Sequence, residues 1–240
     1  ELLDVAYIGA EPAACRAAFD KPVAKSVVRR AGVSTPDWVA LPHETFRELG
    51  AGAVMDAMAS HLGLPLMVKP AKSGSALGCS VVRTREELPG AMVGAFAYGD
   101  TALIENFVEG TEVAVPVIDT GDGPQALPAV QITPEGGIYD YTARYTAGST
   151  SFEVPAPLSD DIAAEVARVA VTAHQALGLR DLSRSDLIID AQRVVWFLEV
   201  NVSPGMTETS TVPLSIAAAG LDMGQVCAQL ITQAKARTHG

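Results

Sequence analysis

The chain has little of what would place it in several large classes. Cysteine occurs only three times in 240 residues, as Cys15, Cys79 and Cys227, at no spacing that suits a metal. An odd, unclustered count argues against a disulfide framework and for a reducing, cytoplasmic setting. Lysine and arginine number 17 against 28 acidic residues, and the net charge is −11. A surface this acidic repels phosphate backbones, so no nucleic-acid partner is expected. Apolar runs stay well short of the roughly 20 residues that cross a bilayer. No signal peptide is expected either, so no membrane association is. There is no internal repeat, no low-complexity tract, and no Gly-Lys-Ser/Thr at the spacing of a Walker A loop. The chain opens on Glu1 rather than Met, as if an upstream piece were missing.

What is present is ordinary globular material: 48% hydrophobic and 19% charged residues exclude disorder. The length suits one large core or two small subdomains. Apolar periodicity predicts helices over Asp20–Arg30, Glu44–His61, Glu86–Phe96, Asp160–Leu177 and Met223–Ala236. Ser159 is the expected N-cap of the fourth helix and Gly178 its stop. Strands are expected at Pro65–Lys69, Cys79–Val82, Ala102–Val108, Glu112–Ile118, Ala129–Thr133, Ser185–Asp190 and Val194–Asn201. The polar stretch Tyr139–Phe152 reads as a long loop. Strands and helices mix without strict βαβ alternation, so the expected class is α+β.

Three segments carry chemistry. In Phe197-Leu198-Glu199-Val200-Asn201, strand alternation puts Glu199 and Asn201 on one face. If Asp190 and Arg193 flank a two-residue turn, Arg184 faces Glu199 and Asp186 faces Phe197. Arg184, Asp186, Glu199 and Asn201 then share a face, and oxygen-only donors suit a hard cation such as Mg²⁺. A solvated strand face with a salt bridge explains the same residues about equally well. In Lys69-Pro70-Ala71-Lys72-Ser73-Gly74-Ser75-Ala76-Leu77-Gly78, a strand-end lysine meets a small-residue turn able to close its N–H groups over phosphates. A plain β-turn with a surface lysine accounts for it too. In Leu103-Ile104-Glu105-Asn106-Phe107-Val108-Glu109-Gly110-Thr111-Glu112, a strand end suits an adenine edge and Glu112 suits ribose hydroxyls. An ordinary hairpin explains that segment equally.

In this order, the segments resemble the ATP-grasp ligases, and among them the D-alanine–D-alanine ligases. Lys69-Pro70 with Gly74-Ser75, the Leu-Ile-Glu strand with Glu105 and Glu112, and Tyr139-Asp140-Tyr141-Thr142-Ala143-Arg144-Tyr145 match that family in turn. Arg184-Ser185-Asp186 and the specific Glu199-to-Thr207 stretch complete the set.

The resemblance implies an ATP-grasp fold, with ATP gripped between antiparallel sheets of two α+β subdomains. It divides the chain into a remnant of an N-terminal substrate domain (1–20), a central subdomain (21–108) and a C-terminal subdomain with the metal and substrate site (109–240). It assigns Lys25 and Lys69 to the ATP phosphates, and Glu105, Phe107 or Val108, and Glu112 to adenosine. Asp186, Glu199 and Asn201 would bind two Mg²⁺ or Mn²⁺ ions. Arg184 and the Gly205 N–H would stabilise an oxyanion. Ser210 and Thr211 would receive a carboxylate, Ser75 and Tyr145 belong to the network that orders the mobile loop and positions the substrates, and Arg144 would help bind ATP. The implied reaction is ATP-dependent ligation of two D-alanines through an acyl phosphate, for peptidoglycan precursors. ATP and amino acids are then the small-molecule partners, and a homodimer fits the family. Arg144 stands where the family has lysine, Ala76 lacks a hydroxyl, and Thr211 stands where leucine is common. The alternatives are a related ligase joining other amino acids, or an idle nucleotide-binding module.

Overall fold

The computed structural model describes residues 5–74, 76–134 and 150–237. In chain order the first elements are α1 (Pro12–Phe19), α2 (Lys21–Arg30), β1 (Trp38–Pro42), α3 (His43–Leu49), α4 (Ala51–Leu62), β2 (Leu66–Pro70), β3 (Ser80–Val82), α5 (Leu88–Phe96) and β4 (Thr101–Asn106). They are followed by β5 (Thr111–Ile118), β6 (Gln125–Ala126), β7 (Val130–Pro134), β8 (Thr150–Glu153), α6 (Asp160–Ala176), β9 (Leu182–Ile189), β10 (Val195–Asn201), α7 (Thr211–Ala218) and α8 (Met223–Arg237). The class is α+β, as the mixed pattern implied. No single helix among the described residues is long and apolar enough to cross a membrane.

Two antiparallel sheets form among the described residues. The first has the order β1-β4-β2-β3; the second runs β10-β9-β5-β7-β8, with β6 added beside β5. Leu66 and Val68 of β2, with Ala102 and Ile104 of β4, turn one face of the first sheet onto Met58 of α4 and Leu88 and Met92 of α5. Strand alternation sends Met67, Lys69, Leu103 and Glu105 to the opposite face. In the second sheet, Val113, Val115, Leu187 and Phe197 pack against Val28 of α2 and Val166 and Val169 of α6. Strand β5 is buried on both sides: its other face places Ala114 against Val130 and Ile132, and Ile118 in a cluster with Val212 of α7 and Leu230 of α8.

Several expected elements change on folding. The single helix over Glu44–His61 is two, because Gly50 takes φ +83° between them. The expected loop over Tyr139–Phe152 ends as a strand, since Phe152 of β8 pairs with Ile132; its first part lies outside the described residues. Ser159 is at the N-cap of α6, but its side chain makes no capping hydrogen bond. Helices α1 and α7 and strand β1 had no clear signal: α1 and α7 are short, and β1 is a five-residue strand.

At Gly110, where the chain passes from the first sheet to the second, a Cβ would collide with the Ile189 carbonyl. Gly52, inside α4, has open space around it. Gly110→Ala should therefore lower stability by about 1–3 kcal/mol, while Gly52→Ala should raise it by about 0.4–1 kcal/mol. Denaturant midpoints decide this, and equal effects at the two sites would refute the close approach.

His174 of α6 is buried, and its Nδ1 lies 2.8 Å from the Ser183 hydroxyl of β9. Burial lowers its pKa, more than the Asp119 and Asp181 carboxylates raise it. The folded chain thus holds fewer protons than the unfolded one below the usual histidine value of about 6.5. Stability should fall as pH drops below that value, by at most about 1.4 kcal/mol per pH unit. His174→Asn should flatten the slope of denaturant midpoint between about pH 6.5 and 5.5; an unchanged slope would assign the acid sensitivity to other groups.

Candidate active site

A cleft of about 390 Å³ opens between the polar face of the first sheet and the β9–β10 hairpin of the second. Met67, Lys69 and Glu105 line one wall, Glu112, Asp186 and Glu199 the other, and Phe107–Gly110 crosses its end. The Phe107 N–H is used by the Pro65 carbonyl, at 3.1 Å. Val108 also lines the cleft, and its N–H donates to no backbone group among the described residues.

The hairpin corrects the expected pairing. Arg193 takes φ +67°, and Asp190 N–H bonds the Val194 carbonyl at 3.1 Å, so the turn is one residue longer than predicted. Asp190 holds it, accepting from the Gln192 and Val194 N–H groups at 2.9 and 2.8 Å and from Trp196 Nε1 at 2.7 Å. Phe197 therefore pairs with Leu187 in the core, not with Asp186. A second register shift between Phe197 and Glu199 bulges the strand at Leu198. Beyond it Glu199 pairs with Asp186 and Asn201 with Arg184, where Arg184–Glu199 and Asp186–Phe197 were expected. Each one-residue slip moves a side chain to the other face. Two slips restore the face, so the four polar residues share it although each pair is shifted.

Cations already meet these carboxylates. Arg184 forks onto Asp186, Nε to Oδ1 at 2.7 Å and Nη2 to Oδ2 at 2.9 Å. Lys21 Nζ lies 3.3 Å from Glu199 Oε2 and donates to the Ser73 carbonyl at 2.6 Å. Asn201 Oδ1 accepts the Ser203 N–H at 2.9 Å. Two carboxylates and an amide oxygen are hard donors, and they fit a divalent cation such as Mg²⁺ or Mn²⁺.

Under the cleft lies an ionic cluster. Glu105, 2% exposed, has Oε1 2.5 Å from Lys69 Nζ and Oε2 2.7 Å from Lys25 Nζ. The Lys25–Glu105 contact lacks the angles of a regular hydrogen bond. Burial pulls the Lys69 pKa down, but Glu105 and Glu199 outweigh it and hold it above the usual lysine value. Burial also pulls Lys25 down, to about 8, against the attraction of Glu105. For Glu105, burial pushes up while Lys69 and Lys25 prevail and keep it ionised.

Of the expected phosphate lysines, Lys69 reaches the cleft, whereas Lys25 is fully buried behind Glu105 and does not line it. Arg184, Asn201, Gly205, Ser210 and Thr211 are not among the cleft's lining residues either. The last three gather at the N-terminus of α7. The Ser210 N–H bonds the Thr207 carbonyl at 2.8 Å, and the two hydroxyls are 2.8 Å apart. A Cβ on Gly205 would come within 2.6 Å of the Ser210 hydroxyl. Ser75, Arg144 and Tyr145 lie outside the described residues.

Lys21 is a site residue that sequence reasoning missed. A lysine in the first turn of a helix opposes the macrodipole, and Lys21 is also buried at 5% exposure. A locally unfavourable charge of this kind was the signal that it had a distant anion to meet. Cys79 also lines the cleft; burial raises its thiol pKa, which disfavours the thiolate.

The known proteins that this chain resembles point the same way. The family described as D-ala D-ala ligase C-terminus matches residues 27–232. The D-alanine–D-alanine ligase of Bordetella petrii is 36% identical over 239 residues, 100% of this chain and 71% of that protein. The one from Delftia acidovorans is 39% identical over 237 residues, 98% and 70% of the two chains. Among solved structures, the VanG D-Ala:D-Ser ligase from Enterococcus faecalis superposes with a TM-score of 0.82 at 28% identity, covering 95% of this chain and 64% of that one. A Bacillus anthracis D-alanine–D-alanine ligase complexed with ATP gives 0.77 at 25% identity, covering 99% and 72%. The chain thus spans about 70% of the length of these two curated relatives and less than two thirds of the VanG chain. With the family pattern running through most of its length and the fold superposing over 95% of it, the chain belongs to the D-alanine–D-alanine ligase family of ATP-grasp proteins, matching that family's C-terminal region.

Proposed function

We propose that the chain is the catalytic portion of an enzyme that uses ATP to join two D-alanines into D-alanyl-D-alanine, a peptidoglycan precursor. The observation that carries this reading is the cleft itself. Lys69 and Lys21 stand at its first wall and helix edge, facing the Asp186–Glu199 pair. Triphosphate placed there meets positive charge on one side and the hard carboxylate donors Asp186 and Glu199 on the other.

In this reading the Val108 N–H and the Phe107 backbone take the adenine edge, and Glu112 takes the ribose hydroxyls. Lys69 and Lys21 hold phosphate oxygens as point charges. Asp186, Glu199 and Asn201 would hold two Mg²⁺ or Mn²⁺ ions, which neutralise phosphate charge when bound. The carboxylate of the first D-alanine attacks the γ-phosphate, ADP leaves, and an acyl phosphate forms. The amine of the second D-alanine attacks its carbonyl and phosphate departs. Arg184 and the Gly205 N–H face the charge that builds on that oxygen. Ser210 and Thr211, at the positive end of α7, take the second carboxylate. Ser75 and Tyr145 would order the loop that keeps water from the acyl phosphate, and Arg144 would help bind ATP. A cytoplasmic, homodimeric enzyme fits this reading, and the three cysteines are free thiols.

The full-length protein should release ADP when given ATP, Mg²⁺ and D-alanine, and release less with D-serine or L-amino acids. A coupled ADP assay over an amino-acid panel reads this. Release only with another amino acid would replace D-alanine and favour the related-ligase reading. Nucleotide binding in calorimetry without any release would favour the idle module, and no nucleotide binding would overturn every reading. Glu199→Gln should raise the Mg²⁺ concentration for half-maximal activity by about tenfold or more, seen in a metal titration of rate. An unchanged titration would remove Glu199 from the metal set.

A further inference from the structure

We infer that Lys25 is a positioning residue: through Glu105 it sets how much of the Lys69 charge is left for phosphate, and Trp38 and Arg29 hold it in place. The inference rests on the ATP reading of the cleft and deepens it.

Lys25 is 0% exposed and does not line the cleft. Its ammonium is held between the Glu105 carboxylate at 2.7 Å and the Trp38 ring, whose centroid is 5.3 Å away. The far wall is built as well. Arg29 lies 4.2 Å from the same ring, and its Nη2 donates to the Thr35 carbonyl and the Asp37 carboxylate, each at 2.9 Å. Trp38 pairs with Glu105 across β1 and β4, so ring and carboxylate have fixed spacing.

Glu105 is shared, one oxygen on Lys25 and one on Lys69. Two cations and one anion leave the cluster with one net positive charge, on the side that lines the cleft. Removing the Lys25 ammonium leaves Glu105 with Lys69 alone. The pair then neutralises itself, and Lys69 no longer attracts phosphate. Buried charges respond this strongly because little solvent screens them.

Lys21 and Lys25 are four residues apart and share one side of α2. Lys21 touches Glu199 on the second sheet and the Ser73 carbonyl beside the glycine-rich loop. Lys25 touches Glu105 on the first sheet. One helix face therefore sets charge on both walls of the cleft.

The test compares ATP and adenosine binding to the full chain by calorimetry. Lys25→Met should weaken ATP by about tenfold, while adenosine binding stays within about twofold. Adding Glu105→Gln to Lys25→Met restores one net positive charge and should recover most of the ATP affinity. A direct phosphate contact by Lys25 predicts no such recovery, and a purely structural role predicts equal loss of both ligands. Either result overturns the inference. Trp38→Leu keeps every charge but removes the wall, and should weaken ATP by a few-fold with adenosine unaffected. It is read if Lys25→Met does not fold, and an unchanged ATP affinity in it overturns the inference. Failure of the unmodified chain to bind either ligand would count against the ATP reading instead.

Discussion

Glu105 lies between two lysines that reach it from different parts of the chain. Lys69 comes from the neighbouring strand of the same sheet, and Lys25 from a helix that packs on the other sheet. A carboxylate at 2% exposure is tolerated only because both of its oxygens meet cations. The two lysines are tolerated only because of the carboxylate. The cluster ties α2 to the first sheet by charge while Val28 ties it to the second by apolar packing. The spacing of the two sheets, and so the width of the cleft, depends on that double attachment.

The second constraint is the bulge at Leu198. Phe197 must enter the core with Leu187, and Glu199 must face the cleft with Asp186. Regular alternation would put both on one face, since they are two residues apart, and the extra residue at Leu198 is what sends them to opposite faces. The extra residue in the turn at Arg193 and the extra residue at Leu198 offset each other in parity. Bulges beside reactive groups re-aim side chains in this way. Here the outcome is a carboxylate pair opposite lysines, in a chain whose surface is strongly acidic.

Charge placement follows one logic across the cleft. The chain carries −11 overall, yet Lys21, Lys25 and Lys69 are all nearly buried around one cavity. All three break a rule by being buried charges, and Lys21 breaks a second by its position in the first turn of a helix. Such exceptions persist where an anion compensates them, and Glu105 and Glu199 do so in the folded chain. A bound polyanion has the same sign as those two carboxylates and competes with them for the lysines.

Much of this was legible in the residues. The apolar periods defined α2, α6, α8 and most strands, because those elements bury one continuous stripe or alternate cleanly. The polar face of Arg184, Asp186, Glu199 and Asn201 was legible from alternation alone, since parity survives two compensating slips. The register was not, because it depends on the αL turn at Arg193 and the bulge at Leu198, which no side-chain pattern announces. The break at Gly50 and the strand at Phe152 escaped for a related reason: one depends on a backbone angle, the other on a partner strand. Lys25 shows the limit most clearly. The family resemblance assigned it to the ATP phosphates, and only the packing of α2 against Trp38 and Glu105 put it behind the wall. Sequence determined which chemical groups this protein has and that Arg184, Asp186, Glu199 and Asn201 share a face, because periodicity is local. Tertiary structure decided which of those groups touch, because contact depends on register and helix docking, and these are set by the whole core.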